Sequence, residues 1–222
     1  MTTIGQKINK GRLILIECIS PVDAFNGRNE TASLSNVCKL IGHETLSISV
    51  KSVSDFKETC KYVSSMDKYQ DNENTKSLFI HLSTHGSSSG LCFGADEVRW
   101  EDLFEYVEPI CKMTYPGQKI FSISSCYATK QKLTSKITRE HMNSEDFSPP
   151  KYIFVPSDDS ISWDNAVVGW TILFHQLPQM SVEEKQKVKD LLKAISKLGI
   201  GKFRYYRWDD TLNSYKIYSA NG

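Results

Sequence analysis

The sequence lacks several things, and each absence removes a class of protein. It has no Cys-x-x-Cys pair; its six cysteines (Cys18, Cys38, Cys60, Cys92, Cys111 and Cys126) are scattered, several at apolar positions. Six in 222 residues is far too few for a disulfide-stapled scaffold, so a reduced, cytoplasmic protein is the simplest expectation. Long hydrophobic runs are also missing. Lys7, Lys10 and Arg12 before Leu13-Ile14-Leu15-Ile16 have the outline of a signal peptide, but Glu17 ends the apolar run after four residues. Nothing approaches the length of a membrane span. Charge of one sign is absent too: 27 Lys and Arg against 26 Asp and Glu leave a net charge of +1. That balance gives no general attraction to nucleic acid or to an anionic membrane, and neither is expected as a partner. No glycine-rich loop follows the first apolar run, where Ser20-Pro21-Val22-Asp23 stands. A phosphate-binding flavodoxin-like domain is therefore the weaker alternative, with Asn26-Gly27 its only support. No internal repeat and no low-complexity tract appears.

What is present is an alternation of short β-rich runs and helical patterns. Arg12–Ile19 reads as a buried strand. Leu34, Val37, Cys38 and Ile41 recur at helical spacing, with Gly42 where the helix should stop. Thr45–Val50 is a second strand. Asp55 with Glu58 resembles a helix cap, followed by Phe56, Cys60 and Val63 on one face. Ser77–Thr84 is a third strand, closed by His85-Gly86. A hairpin turning at Gly94-Ala95-Asp96 comes next, then a helix on Trp100, Leu103, Phe104 and Val107 with Pro109 beyond it. Lys119–Ser125 and Lys151–Pro156 are the fourth and fifth strands. The least periodic stretch, 129–150, reads as a helix with an exposed loop. Asn165–Leu177 is an apolar helix; Ser181 and Glu184 open an amphipathic one ending at Gly199. Phe203–Tyr218 reads as two strands turning near Asp209-Asp210. Strands alternating with helices predict a mostly parallel sheet covered on both faces. One domain spanning 1–222 is expected, its core at roughly 12–198 and a C-terminal hairpin at 202–219.

In such a sheet, ligands bind outside the carboxyl ends of the strands. His85 ends the third strand and Cys126 ends the fourth. A lone cysteine in an apolar strand is usually a small core residue, and a lone histidine after a strand usually a hydrogen-bonded loop residue. Their joint placement at consecutive strand ends is less easily dismissed. Gly86, next to His85, lets backbone approach a substrate and can offer its N–H. Together these residues make a plausible acyl-transfer set: nucleophile, proton shuttle and backbone donors.

The segments Leu78-Phe79-Ile80-His81-Leu82-Ser83-Thr84-His85-Gly86 and Ile120-Phe121-Ser122-Ile123-Ser124-Ser125-Cys126 resemble the strand-His-Gly and strand-Cys motifs of caspase-like cysteine peptidases (clan CD), most closely the bacterial, CHAT-type branch. His precedes Cys, and they lie 41 positions apart (126 − 85), near the roughly 50 of caspases. The apolar stretch Ala166-Val167-Val168-Gly169-Trp170 also suits that layout. The resemblance covers about Arg12 to Leu198. It implies a three-layer α/β/α sandwich and a cysteine endopeptidase with Cys126 as nucleophile and His85 as general acid/base. Backbone N–H groups of Gly86 and Cys126 would form the oxyanion hole. It further implies a protein substrate, no cofactor, activation by a partner or a cleavage, and a role in bacterial cell death or defence. The sequence departs from the pattern at Ser124, where caspases carry Gln and metacaspases Asp, and at Tyr127, where caspases carry Arg-Gly. Neither branch's substrate preference transfers.

In the resembled fold the loop after the fifth strand borders the substrate pocket. Asp158, Asp159 and Trp163, with Ser124, are the candidates there, and an acidic pocket would favour Lys or Arg. The plainer reading is a solvated loop, with Asp164 capping the next helix. His81 and His85 are four apart, but on a strand that is about 13 Å, so they share no metal and His81 is expected to pack in the sheet. The aromatic tail (Tyr205, Tyr206, Trp208, Tyr215, Tyr218) with Arg204 and Arg207 reads as an edge hairpin rather than a base-stacking surface, or as a docking face for a partner. The alternative to an enzyme is a catalytically inactive caspase-like scaffold.

Overall fold

A computed structural model describes residues 11–66, 76–144, 147–180 and 184–220. The expected helix opener Ser181 and the basic residues Lys7 and Lys10 lie outside them. Nine strands and seven α-helices are defined among the described residues, in the order β1 (Arg12–Cys18), α1 (Pro21–Phe25), α2 (Glu30–Leu40), β2 (Glu44–Ser49), α3 (Val53–Ser64), β3 (Leu78–Thr84), β4 (Gly90–Phe93), β5 (Asp96–Arg99), α4 (Leu103–Lys112), β6 (Lys119–Ser124), α5 (Leu133–His141), β7 (Tyr152–Pro156), α6 (Trp163–Gln176), α7 (Lys185–Lys197), β8 (Phe203–Asp209) and β9 (Ser214–Ser219). Seven strands form one sheet in the order β2-β1-β3-β6-β7-β8-β9. The first five are parallel; β8 adds antiparallel to β7, and β9 antiparallel to β8. This is the expected α/β sandwich with a mostly parallel sheet and a C-terminal hairpin.

Because side chains alternate across a strand, each strand feeds both layers. Ile14, Ile16, Ile80, Leu82, Phe121, Ile123, Ile153 and Val155 pack on the side of α3, α4 and α5. Leu13, Leu15, Phe79, Ile120, Tyr152 and Phe154 pack on the side of α2, α6 and α7. The hairpin is part of this core. Phe203, Tyr205, Tyr206 and Trp208 are buried, Tyr205 stacking between Phe154 and Tyr218. Its aromatics are thus spent on the sheet faces rather than presented to solvent. Gly169 is the point on α6 where Phe203 comes closest; a Cβ there would lie 2.6 Å from the Phe203 ring.

Three local readings are corrected. The cap of α3 is Ser52, whose Oγ accepts the Asp55 N–H, while Asp55 reaches back to the Lys51 N–H. Glu58 instead pairs with Lys61 at 2.7 Å. Pro109 lies inside α4 rather than beyond it. It sacrifices one helical donor, and burial of Val107, Ile110 and Cys111 keeps the last turn in place. Asp164 sits within the first turn of α6, after the N-cap Ser162. The 129–150 stretch does contain a helix, α5, anchored by buried Leu133 and Ile137. Among the described residues, no helix is long and apolar enough to cross a membrane.

Candidate active site

Parallel β3 and β6 pair with Leu78 opposite Lys119 and Ser83 opposite Ser124. Every pair in this ladder differs by 41, which is also the spacing of His85 and Cys126. The two residues therefore occupy matching positions just past the ends of two adjacent strands, where neighbouring backbones run about 4.8 Å apart. They line one cleft of about 140 Å³ together with Glu30, Thr84, Ser124, Ser125, Ile161, Trp163 and Ala166. A second, wider hollow adjoins it, sharing Glu30 and Trp163 and bounded by Arg28, Ser33, Val167 and Val168.

Two backbone features shape the cleft. Gly86 presses against the segment that carries Cys126: a Cβ there would meet Ser125 Oγ at 2.2 Å and Cys126 O at 2.4 Å. Gly86 also bridges to Leu91, and the flanking bonds run from Cys92 N–H to His85 C=O and from Ser87 N–H to Gly90 C=O. In such a non-hydrogen-bonded pair the N–H of Gly86 points away from Leu91. The second feature is Tyr127, which takes a left-handed conformation (φ 56°) and turns the chain sharply after Cys126. For an aromatic residue that is a strained conformation. The Tyr127 N–H bonds to the Asp159 carbonyl at 3.0 Å, tying the Cys126 turn to the β7–α6 loop.

Cys126 and Cys92 are partly exposed, whereas Cys18, Cys38, Cys60 and Cys111 are buried. Burial pushes the Cys38 and Cys111 thiols up to about 12 and raises those of Cys18, Cys60 and Cys92. Trp163 stands edge-on to the His85 ring, with centroids 5.7 Å apart. His85, Cys126, Gly86, Ser124 and Trp163 are thus brought together. Asp158 and Asp159 are not: both are exposed on the loop after β7 and stand outside the walls of the cleft. Asp164 is exposed as well, its carboxyl held below the usual range by the Ser162 hydroxyl and the Asn165 N–H.

The acidic groups at the site come from elsewhere in the chain. Glu30, at the start of α2, is 2% exposed; its Oε2 accepts from Ser124 Oγ (2.9 Å) and its Oε1 lies 2.6 Å from His81 Nε2. His81 Nδ1 meets Ser122 Oγ at 2.8 Å, and its ring packs against Trp170 and Phe174. Glu17 accepts from the Glu30 N–H and the Thr31 hydroxyl, and desolvation raises its pKa. Asp23, in α1, places Oδ2 2.5 Å from His85 Nε2, accepts the Ser20 hydroxyl at 2.5 Å, and takes Arg28 Nη1 on Oδ1 at 3.4 Å. Sequence reading missed all three carboxylates as site residues. For Asp23 a signal existed: Ser20-Pro21-x-Asp23 is a helix start, with a capping Ser and Pro at the first helical position. Among the described residues no group of three or more His, Cys, Asp or Glu could hold a metal.

No family model matches the chain, and no curated protein matches it significantly.

Proposed function

We propose that this chain is a cysteine endopeptidase that works through Cys126 and His85. The observation that carries the reading is the shared register: a thiol and an imidazole at matching ends of adjacent parallel strands, lining one cleft. In the proposed reaction His85 takes the Cys126 proton, and the thiolate sulfur attacks the scissile carbonyl carbon. The N–H groups of Gly86 and Cys126 would stabilise the resulting oxyanion. As the C–N bond breaks, the imidazolium returns its proton to the leaving amine, giving an acyl-enzyme. A water, deprotonated by His85, then attacks the thioester; the carboxylic acid leaves and the thiol is restored.

The cleft floor supports a substrate preference. Glu30 and Ser124 form it, and none of the described residues lining it is Lys or Arg. An acidic side chain entering it would face a carboxylate with no cation to receive it, whereas Lys or Arg would gain a charge-assisted hydrogen bond. The preference first sought at Asp158 and Asp159 is therefore assigned to Glu30. The natural substrate in this proposal is a protein cut after a basic residue, with access controlled by a partner or a prior cleavage.

Incubation with a mixed peptide library, followed by sequencing of the cuts, tests this reading directly. Wild-type protein should cleave after Lys or Arg, and Cys126→Ala and His85→Ala should not cleave while melting within a few degrees of wild type. Full activity of either purified variant would refute the assignment.

A further inference from the structure

We infer that Asp23 is a positioning residue that clamps the His85 imidazole, turning the Cys126–His85 pair into a three-membered Cys–His–Asp arrangement. Its kinetic consequence rests on the peptidase reading; its structural consequence does not.

The geometry is that of an orienting carboxylate. His85 is 48% exposed, so its ring has little packing to hold it beyond the Trp163 edge. Asp23, by contrast, is 4% exposed and fixed. Ser20 caps α1, accepting the Asp23 N–H at 3.1 Å and donating its own hydroxyl to Oδ2, and Pro21 presets the first turn. Arg28 holds the other carboxylate oxygen from the far side. Oδ2 therefore stands at a fixed point, and the imidazole is the mobile partner. The Ser20 hydroxyl and His85 both hold the Asp23 carboxyl below its ordinary range, so it meets His85 as an acceptor. An ionised carboxylate at Nε2 requires the proton on Nε2, which leaves Nδ1 as the nitrogen that takes and gives the reacting proton. When His85 becomes an imidazolium, its charge is matched at 2.5 Å by a carboxylate already in place. The other titratable or charged groups near His85 are Glu30 and Cys126 across the cleft, with Arg28 behind Asp23.

A structural alternative exists, since Asp23 also lies in the first turn of α1. The test therefore needs a readout that helix capping would not move. Nitrogen NMR on histidine-labelled, intact protein reports which ring nitrogen carries the proton. In the wild type, at a pH where the ring has lost its second proton, His85 should show the Nε2–H form. In Asp23→Asn, the amide can turn its NH₂ toward Nε2, and in Asp23→Ala no acceptor remains; in both, the Nδ1–H form should gain population. On a cleaved peptide the same variants should lose kcat by on the order of 10²-fold, the size of a positioned acid/base contribution, with KM nearly unchanged. Asp23→Glu, which keeps the charge, should recover part of the loss. An Nδ1–H form in the wild type, or a tautomer unaltered in both variants, overturns the inference. If the tautomer shifts as expected but nothing is ever cleaved, the clamp stands and the peptidase reading falls. If cleavage proceeds with kcat unaltered in both variants, the clamp falls and the peptidase reading stands.

Discussion

Replacing Gly86 by alanine is expected to damage the proposed chemistry far more than the fold, and the size of the effect follows from two distances. The new Cβ would start 2.2 Å from Ser125 Oγ and 2.4 Å from Cys126 O, whereas real Cβ atoms essentially never come within 3.0 Å of such neighbours. The Ser125 hydroxyl can rotate aside. The Cys126 carbonyl cannot move without its peptide, so the two chain segments must separate by at least 0.6 Å (3.0 − 2.4). That displacement falls between the proposed nucleophile and the proposed oxyanion donor of Gly86. Misplacement by about 1 Å can cost 10²-fold in rate, so kcat/KM should fall by about 10- to 100-fold, or about 1.4–2.7 kcal/mol of transition-state stabilisation. Gly199→Ala is the control. Gly199 has φ 73° with nothing within 4 Å, so alanine there strains the backbone by about 1–2 kcal/mol without touching the cleft. The assay is turnover of a peptide chosen from the library screen, with thermal melting run beside it. Gly86→Ala within twofold of wild type would refute the reasoning. So would Gly199→Ala losing as much activity at an equal drop in melting temperature.

Three further outcomes are expected. Glu30→Gln should lower the preference for Lys over Gln at the cut site by roughly tenfold or more, since a charged hydrogen bond contributes about 1.5–3 kcal/mol; an unaltered ratio of kcat/KM values would remove Glu30 from the pocket. A peptidyl electrophile that fills the cleft should label Cys126 first, because Cys126 lines that cleft while Cys18, Cys38, Cys60 and Cys111 are buried and Cys92 stands outside it, and peptide mapping with even labelling would contradict this. Lys119 is buried, donates to the carbonyls of Ile110, Cys111 and Met113 at the end of α4, and is pushed down to about 8 by desolvation. As pH falls from about 10.5, the unfolded chain takes up this proton before the folded one, so the group's contribution is present above that pH and lost as pH falls through about 8. The melting temperature of wild type should therefore drop relative to Lys119→Met over that window; a constant difference would show that the three carbonyls, not desolvation, govern the group.

The layers and the strand ends were legible in the sequence because each rests on local pattern. Apolar runs ending in His85-Gly86 and Ser125-Cys126 announce two strands, and their separation by the register offset of a parallel pair brings them to one edge. The carboxylates were not legible, for a topological reason. Asp23 and Glu30 follow β1, and nothing in the local sequence says that β1 pairs directly with β3 and so lies two strands from β6, the cysteine's strand. Only that pairing carries α1 over His85 and the start of α2 under Ser124. For Asp158 and Asp159 the plainer reading, a solvated loop, is the one the structure shows. They are close to the site along the chain, but the left-handed turn at Tyr127 recruits the Asp159 carbonyl for a backbone hydrogen bond and leaves both side chains in solvent.

Beneath the cleft lies a run of polar side chains that stability alone does not call for. Glu17, Thr31, Glu30, His81, Ser122 and Ser124 are each at most 5% exposed, linked hydrogen bond by hydrogen bond, on the same sheet face as Leu13, Leu15, Phe79 and Ile120. Buried ionisable pairs of this kind are often no more stabilising than apolar residues of similar volume, yet breaking one by removing a partner costs about 3–5 kcal/mol. The network occupies only the carboxyl-end half of that face; toward the other end the same layer returns to Leu, Phe and Ile. The strained Tyr127 and the squeezed Gly86 lie at the same end. Strain and buried polar groups thus meet around the cleft, as expected where they are retained for a site, but they are not confined to it: Lys119 is buried at the other end of β6, and Gly90 and Gly117 are squeezed as closely as Gly86. The network also explains how Glu30 can serve the proposed pocket. Its two oxygens are held by His81 and Ser124, so the carboxylate faces an incoming lysine or arginine already oriented. His81→Leu, which empties one side of that grip, should therefore weaken discrimination between basic and neutral residues at the cut site while leaving the Cys126–His85 register intact.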